Sequence, residues 1–279
     1  MFYTPENFIN VFRNQPKFRA LSIPGPTDCP KQEKFISVVT TCMNRLSDLK
    51  NTLPRNIEDN KEYDNAEFIV LDYNSTENVE GWIKRKMMHH IKSGKLKFYR
   101  TECSRYFQPN HSRNLSFRLA TGELVANVDT DNIIHKGFLI RLNECAAVAD
   151  EKILICAEDA LAYGSDRFKL RGRFCLYKKD IEFLRGFDED LDNGFSHDDV
   201  NFFFRAMMSR FKMVRYEKSF NWGRKTPDPD KVQYVRNPDM DKMKIVNAEL
   251  TLHKLMRGIV SVNHGREWGA ADVTSIKAD

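Results

Sequence analysis

Runs of branched and aromatic residues alternate along this chain with polar stretches of helical spacing, and together they divide its first half into strands and helices. Phe35-Ile36-Ser37-Val38-Val39-Thr40 predicts a buried strand, residues 47–56 a helix, and Ala66-Glu67-Phe68-Ile69-Val70-Leu71-Asp72 a second strand. Residues 82–91 have a helical pattern, Leu96-Lys97-Phe98-Tyr99 is a short strand, and residues 110–120 place Leu115, Phe117, Leu119 and Ala120 on a packed helix. Glu123-Leu124-Val125-Ala126-Asn127-Val128 then predicts another strand. Strands joined through helices pair in parallel, so the pattern points to an α/β fold with a mostly parallel central sheet flanked by helices. Residues 1–33, which close on Pro24-Gly25-Pro26 and Pro30, read as an N-terminal extension. Residues 215–241, rich in Lys, Arg, Asp and Pro, read as a long loop, and 244–258 as a helix.

Composition narrows the class. With 279 residues, 41% hydrophobic and 30% charged, the chain can bury one sizeable core and carries no dominant disorder signature. Its 44 basic and 39 acidic residues leave a net charge of +5 of mixed sign, which suits a phosphate-bearing ligand or an anionic membrane surface and does not demand nucleic acid. The six cysteines (Cys29, Cys42, Cys103, Cys145, Cys156, Cys175) show no Cys-x-x-Cys pair and several lie in apolar runs, as expected of reduced thiols in a cytoplasmic protein. No signal peptide is expected at the N-terminus, and no window approaches the roughly 20 apolar residues of a membrane span.

The chemistry gathers at strand ends. Asp129-Thr130-Asp131 closes the strand ending at Val128, and carboxylates at i and i+2 can converge on one hard divalent cation whose other ligands are substrate phosphates. The same tripeptide also fits an exposed turn. Asp72 ends the second strand, and a parallel sheet brings both strand ends to one edge, where a carboxylate can accept from a base or a ribose hydroxyl. Asn74-Ser75-Thr76 follows with turn chemistry, and a turn or cap is the plainer role for Asp72. Further on, Gly186-Phe187-Asp188-Glu189 and Gly194-Phe195-Ser196-His197-Asp198-Asp199 lead into the apolar run from Val200 to Met208. Adjacent carboxylates at a helix N-terminus are stabilised as anions and can supply a general base, although N-capping alone is the alternative.

Five elements in this order make the segment from Phe35 to Tyr216 resemble a glycosyltransferase of the GT-A fold, close to family two. They are Thr41-Cys42-Met43-Asn44-Arg45, Asp72-Tyr73-Asn74-Ser75-Thr76, Ser112-Arg113-Asn114 with Ala120-Thr121-Gly122-Glu123, Asp129-Thr130-Asp131, and Gly186 to Glu189 with Gly194 to Asp199. The last of these is also similar to an element of β-galactosyl- and N-acetylgalactosaminyl-transferases. The resemblance implies that Thr41, Asn44, Arg45, Asp72, Asn74, Arg113 and Asp129 bind the donor nucleotide. It further implies that Asp131, with Asp129, ligates Mn²⁺ or Mg²⁺, that Asp199 is the base for inverting transfer, and that Asp198 orients the acceptor. Asp198 stands where the family has Glu, Phe195 where it has Trp, and Met43 where it has an aromatic residue. A His downstream of the base is often a further metal ligand in such enzymes, and the candidate is His264, ahead of His135 and His253. A catalytic domain over 34–216 is expected to be followed by a loop and helix over 217–279, whose end, with Arg266, is either a lid over the donor or an ordinary exposed tail.

The expected activity is transfer of a sugar from a nucleotide-diphosphate donor, UDP-sugar favoured, to a hydroxyl on a glycan or lipid-linked acceptor. A cytoplasmic enzyme of this kind could dock on the inner face of a membrane through Lys84-Arg85-Lys86 or Arg171-Gly172-Arg173. Two other readings remain. One is a non-catalytic nucleotide-sugar or carbohydrate binding protein. The other is a sugar-phosphate nucleotidyltransferase, whose Gly-rich phosphate loop is missing between Thr40 and Arg45.

Overall fold

A computed structural model describes residues 32–147, 152–158, 172–223 and 232–277. Nearly all of the expected N-terminal extension lies outside these residues. Strands β1 (Ile36–Cys42), β2 (Ala66–Tyr73), β3 (Leu96–Thr101) and β4 (Leu124–Val128) are parallel and lie in the order β3-β2-β1-β4. Helix α1 (Leu46–Asp59) connects β1 to β2, and α4 (Pro109–Leu119) precedes β4. Between β2 and β3, the single helix expected over 82–91 is two: α2 (Val79–Lys86) and α3 (Met88–Lys92). Met87, at φ −121°, leaves the helical conformation between them.

The second half holds short elements that the apolar pattern leaves ambiguous. They are β5 (Asn132–Ile134), α5 (Phe138–Ala146), β6 (Ile153–Ala157), β7 (Arg173–Tyr177), α6 (Lys178–Leu184) and α7 (Asp198–Met208). After these come β8 (Lys212–Tyr216), β9 (Asn221–Gly223), α8 (Met240–Met256) and β10 (Thr274–Ser275). The main sheet runs β10-β3-β2-β1-β4-β7-β6-β8, with β7 antiparallel to β4 and β6, and β10 antiparallel to β3. Strands β5 and β9 form a separate antiparallel pair beside the Asp129 turn. The C-terminal segment therefore rejoins the sheet at its edge, and Thr101 Oγ1 fixes it there by donating to Asp272 O at 2.8 Å.

Both faces of the sheet are covered, which is why the central strands read as nearly continuous apolar runs. Ile36 and Val38 pack with Leu49, Leu53, Ile57 and Trp82 on one face. Val39, Ile69 and Val125 pack with Phe117, Phe174, Phe187 and Phe202 on the other. Phe202, Phe203 and Phe204 are all buried, as core residues and not as a surface for stacking ligands. The Ala120-Thr121-Gly122-Glu123 turn is part of this framework. A Cβ on Gly122 would lie 2.6 Å from Phe35 O and 2.7 Å from Ser37 N, and Thr121 donates from its backbone N and its Oγ1 to the buried carboxylate of Glu67. Cys42, Cys145, Cys156 and Cys175 are buried free thiols, Cys103 is exposed, and Cys29 lies outside the described residues. Among the described residues no helix is long and apolar enough to cross a membrane.

Candidate active site

The chain runs from β1 outward through β2 and β3 and then returns to the opposite side of β1 as β4. Open α/β sheets leave a ligand crevice at such a switch point. Here it is a cleft of about 170 Å³. Thr41, Met43 and Arg45 line it from the end of β1, Asp129, Thr130 and Asp131 from the end of β4, and Arg113 from α4. Phe107, Phe195 and Tyr234 reach it from loops.

Thr130 sets the direction of its two neighbours. Its hydroxyl donates to Thr41 O, and its carbonyl accepts from Thr52 Oγ1 of α1 at 2.7 Å, so Thr130 is clamped between β1 and α1. Asp129 and Asp131 project into the cleft on either side of that anchor. Arg45 Nη2 donates to Asp131 at 3.2 Å while its Nε donates to Asp48 at 2.6 Å. Arg113 Nη2 lies 3.4 Å from Asp129 Oδ1, and Asn127 Nδ2 donates to the same oxygen at 3.1 Å.

Helix α4 ties the cleft to the later motifs through two consecutive residues, whose side chains leave a helix about 100° apart. Arg113 donates from Nη1 to Asp198 at 2.5 Å and sits over the Phe187 ring at 5.2 Å. Asn114 accepts from Phe187 N at 2.7 Å and donates to Phe187 O and to Glu189, gripping the Gly186–Glu189 turn. Burial alone would lower the pKa of Arg113, but Asp129, Asp198 and Asp199 outweigh it and hold the guanidinium firmly protonated. Asp198 and Asp199 begin α7, entered through Ser196 (φ 120°) and His197 (φ 65°) in the left-handed region. Consecutive non-glycine residues held there store backbone strain, a feature concentrated at functional sites.

Several sequence-expected residues sit behind the cleft, outside its lining. Asp72 is fully buried and its neighbour in register on β3, Arg100, donates to it at 2.6 Å; Ser75 N donates to its other oxygen at 3.0 Å. Asn44 Oδ1 accepts from Thr76 N at 2.7 Å, and Asn74 Nδ2 donates to Ser104 O at 2.9 Å. Both asparagines adopt left-handed backbone conformations (φ 53° and 59°), and they latch the loops after β1, β2 and β3 to one another. His264 lies elsewhere. Arg185 and Asn263 bind the chain after α8 to the turn after α6, and Arg266 pairs with Asp190, so this segment does not close over the cleft. Among the described residues no three His, Cys, Asp or Glu side chains form a metal cluster, and His264 is not brought to Asp129 and Asp131. Of the basic patches, Lys84-Arg85-Lys86 is exposed on α2, whereas Arg173 is buried in β7 and Arg171 lies outside the described residues.

Phe107 and Tyr234 are cleft residues that sequence reasoning passed over. Phe107 N donates to Tyr234 O at 2.8 Å, and an isolated bridge joins Gly194 to Asn237, so residues 234–237 span from the loop before α4 to the loop before α7. Aromatic residues in a stretch otherwise rich in charge and proline were the available signal.

Gly172 is held just as closely. At φ +65° its carbonyl accepts from Asp129 N at 3.0 Å, and a Cβ there would fall 1.8 Å from Asp129 Oδ2. Gly172→Ala is expected to displace that carboxylate, and the left-handed backbone adds a stability loss of about 1–2 kcal/mol. Urea denaturation of the purified variant checks this, and unchanged stability would contradict the packing of Gly172 on Asp129.

A family model described as glycosyl transferase family 2 matches residues 37–214. No curated protein matches the chain by sequence. Among solved structures, it is similar to mannosyltransferase PcManGT from Pyrobaculum calidifontis in complex with GDP-Man and Mn²⁺, with TM-score 0.55, 18% identity, and coverage of 75% of this chain and 60% of that one. It is also similar to S. aureus TarS 1–349 in complex with UDP-GlcNAc (TM-score 0.52, 18% identity, 69% and 59% covered) and to GalNAc-T7 with UDP, GalNAc and Mn²⁺ (0.52, 16%, 65% and 42%). The chain thus spans less than two thirds of each of these proteins. These likenesses identify the fold as GT-A, and with a family match running from β1 into β8, the chain belongs to glycosyl transferase family 2.

Proposed function

We propose that the protein is a metal-dependent, inverting glycosyltransferase that moves a sugar from a nucleotide-diphosphate donor, UDP-sugar favoured, to an acceptor hydroxyl in glycan or polysaccharide synthesis. The observation that carries this reading is the charge of the cleft. Asp129, Asp131 and Asp198 gather round two guanidiniums, Arg45 and Arg113, with Asp48 also on Arg45 and Asp199 acting on Arg113. Carboxylates outnumber cations, so a diphosphate enters favourably only together with a compensating cation.

The donor set fits Mn²⁺ or Mg²⁺. Asp131 and Asp129 offer hard oxygens aimed into the cleft, and such ions accept one or two carboxylates when substrate phosphates complete the shell. When bound, the ion would neutralise the charge that develops on the departing diphosphate. Arg45 can then pass from Asp131 to a phosphate oxygen, a charge-assisted exchange that keeps it paired. Arg113 holds Asp198 and Asp129 in one register. Asp199 takes the proton of the acceptor hydroxyl as it attacks the anomeric carbon, and Asp198 orients that acceptor. Thr41, Met43, Phe107 and Tyr234 enclose the less charged part of the cleft, where a nucleobase finds apolar contact. The ligands named with the similar structures, GDP-Man, UDP-GlcNAc and UDP with Mn²⁺, support a nucleotide-sugar donor. A lipid-linked acceptor at the cytoplasmic face of a membrane is compatible with the exposed Lys84-Arg85-Lys86 on α2.

A thermal-shift screen of UDP, GDP, CMP and their sugar conjugates, each with and without Mn²⁺, tests the reading, because a ligand that binds only the folded state raises its apparent stability. A manganese-dependent rise with UDP and its conjugates is expected. A rise with GDP alone would reassign the donor, and no rise with any nucleotide would overturn the assignment. Binding without turnover across acceptors would favour a non-catalytic binding protein.

A further inference from the structure

Five residues beyond Arg113, about 7.5 Å further along α4, Arg118 opens onto a second and larger cavity. The end of α4 meets the start of β1, where Gly122 N donates to Ser37 Oγ at 2.8 Å, so this groove lies at the opposite end of the sheet from the cleft. The two share no lining residue. Its volume is about 660 Å³, within the range of small-ligand sites.

The charge of this groove is the reverse of the cleft's. Arg118, Lys178, Arg185 and Arg266 line it with Glu182 and Glu267, and Arg266 also pairs with Asp190, so four cations stand against three anions, an excess of +1. Lys178 and Arg185 are held in place by backbone carbonyls. Arg185 donates to Val262 O, Asn263 O and Arg266 O at 2.8–2.9 Å, and Lys178 Nζ donates to Ala120 O at 2.5 Å. Arg118 donates to Trp268 O at 3.0 Å and to Glu267. Carbonyls orient a cation without neutralising its charge, so Lys178 and Arg185 keep theirs while losing little freedom on binding an anion. Trp268, packed against the aromatic core below, offers an indole beside these cations. A rigid aromatic surface next to fixed positive charge suits a ring that carries a phosphate.

We infer that this groove binds the phosphate monoester of a sugar, its phosphate at Lys178 and Arg185 and its ring against Trp268, without a metal ion and independently of the cleft.

Calorimetric titration of the full chain in metal-free buffer with EDTA tests this, using glucose 6-phosphate, inorganic phosphate, glucose and glucuronate. Glucose 6-phosphate is expected to bind, inorganic phosphate about tenfold more weakly, and glucose not at all, with affinity falling as salt rises. Lys178→Met is expected to cost about tenfold, and Glu182→Gln to tighten binding about threefold, a gain that damage to the fold does not produce. Neither variant is expected to change Mn²⁺-dependent UDP binding, which keeps this test separate from the transfer reaction. The inference is overturned if neither phosphate compound binds, if glucuronate binds as well as glucose 6-phosphate, or if both variants bind like the original protein.

Discussion

Arg113→Met is expected to destabilise the protein by about 3 kcal/mol at neutral pH and to abolish transfer, because it leaves a group of carboxylates without its cation. The guanidinium is only 9% exposed and bridges Asp198 and Asp129, while Asp199 also contributes to its field. Methionine replaces the stem but not the charge. Urea denaturation at neutral pH measures this. Adding Asp198→Asn should recover part of the loss, since it removes one uncompensated charge. A double variant no more stable than Arg113→Met alone would mean that the cost is lost packing over Phe187 and not charge.

The second large effect separates binding from chemistry. Asp199→Asn is expected to retain Mn²⁺-dependent nucleotide binding within about threefold while transfer falls by a factor of at least about 1,000, near the upper range for loss of a general base. Asp131→Ala should behave differently, losing the metal-dependent part of donor binding along with transfer. Paired nucleotide titrations and single-turnover assays distinguish the two. Equal losses of donor affinity would remove the division of roles between α7 and the β4 turn. The contrast follows from position. Asp131 shares the cleft with Arg45, where the diphosphate would lie, whereas Asp199 begins α7, on the side of the cleft entered through Phe195.

Opposite charge excesses at the two ends of the molecule have a practical consequence. On the proposed readings an anionic ligand would need a divalent cation to enter the cleft and none to enter the groove, so binding with and without metal would assign a phosphate compound to its site. Chelation would release a nucleotide from the cleft and leave a sugar phosphate in the groove.

Much of the edge that carries the cleft was legible from local sequence. Strands β1, β2 and β4 announced themselves because each is buried on both faces and therefore continuously apolar, and helices between them required parallel pairing. Asp129-Thr130-Asp131 and Asp198-Asp199 were visible because a carboxylate directly after a strand or at a helix start is a local arrangement. The short strands β6, β7 and β8 were not, since five apolar or mixed residues fit a strand or a buried helix equally. Strand β10, two residues long, exists only because the edge of β3 is there to receive it.

Which polar residues face the ligand was a tertiary decision. Asp72 looked like a nucleotide acceptor, but Arg100 lies beside it in the β2–β3 register and takes it as a partner. Asn44 and Asn74 have the chemistry of ligand contacts and are used to latch one loop to the next. Phe107 and Tyr234 lie far apart in sequence and meet through one backbone hydrogen bond that no local pattern encodes. His264 had a suitable ring but is carried away from the cleft by the bonds that fix residues 262–266 to the turn after α6. By itself the sequence determined the strands, the edge at which their carboxylates gather and the residue types available there, because periodicity and turn chemistry act over a few neighbours. Only the tertiary structure decided which of those groups are free to meet a ligand, because a polar side chain is committed by whatever partner packing brings within about 3 Å of it.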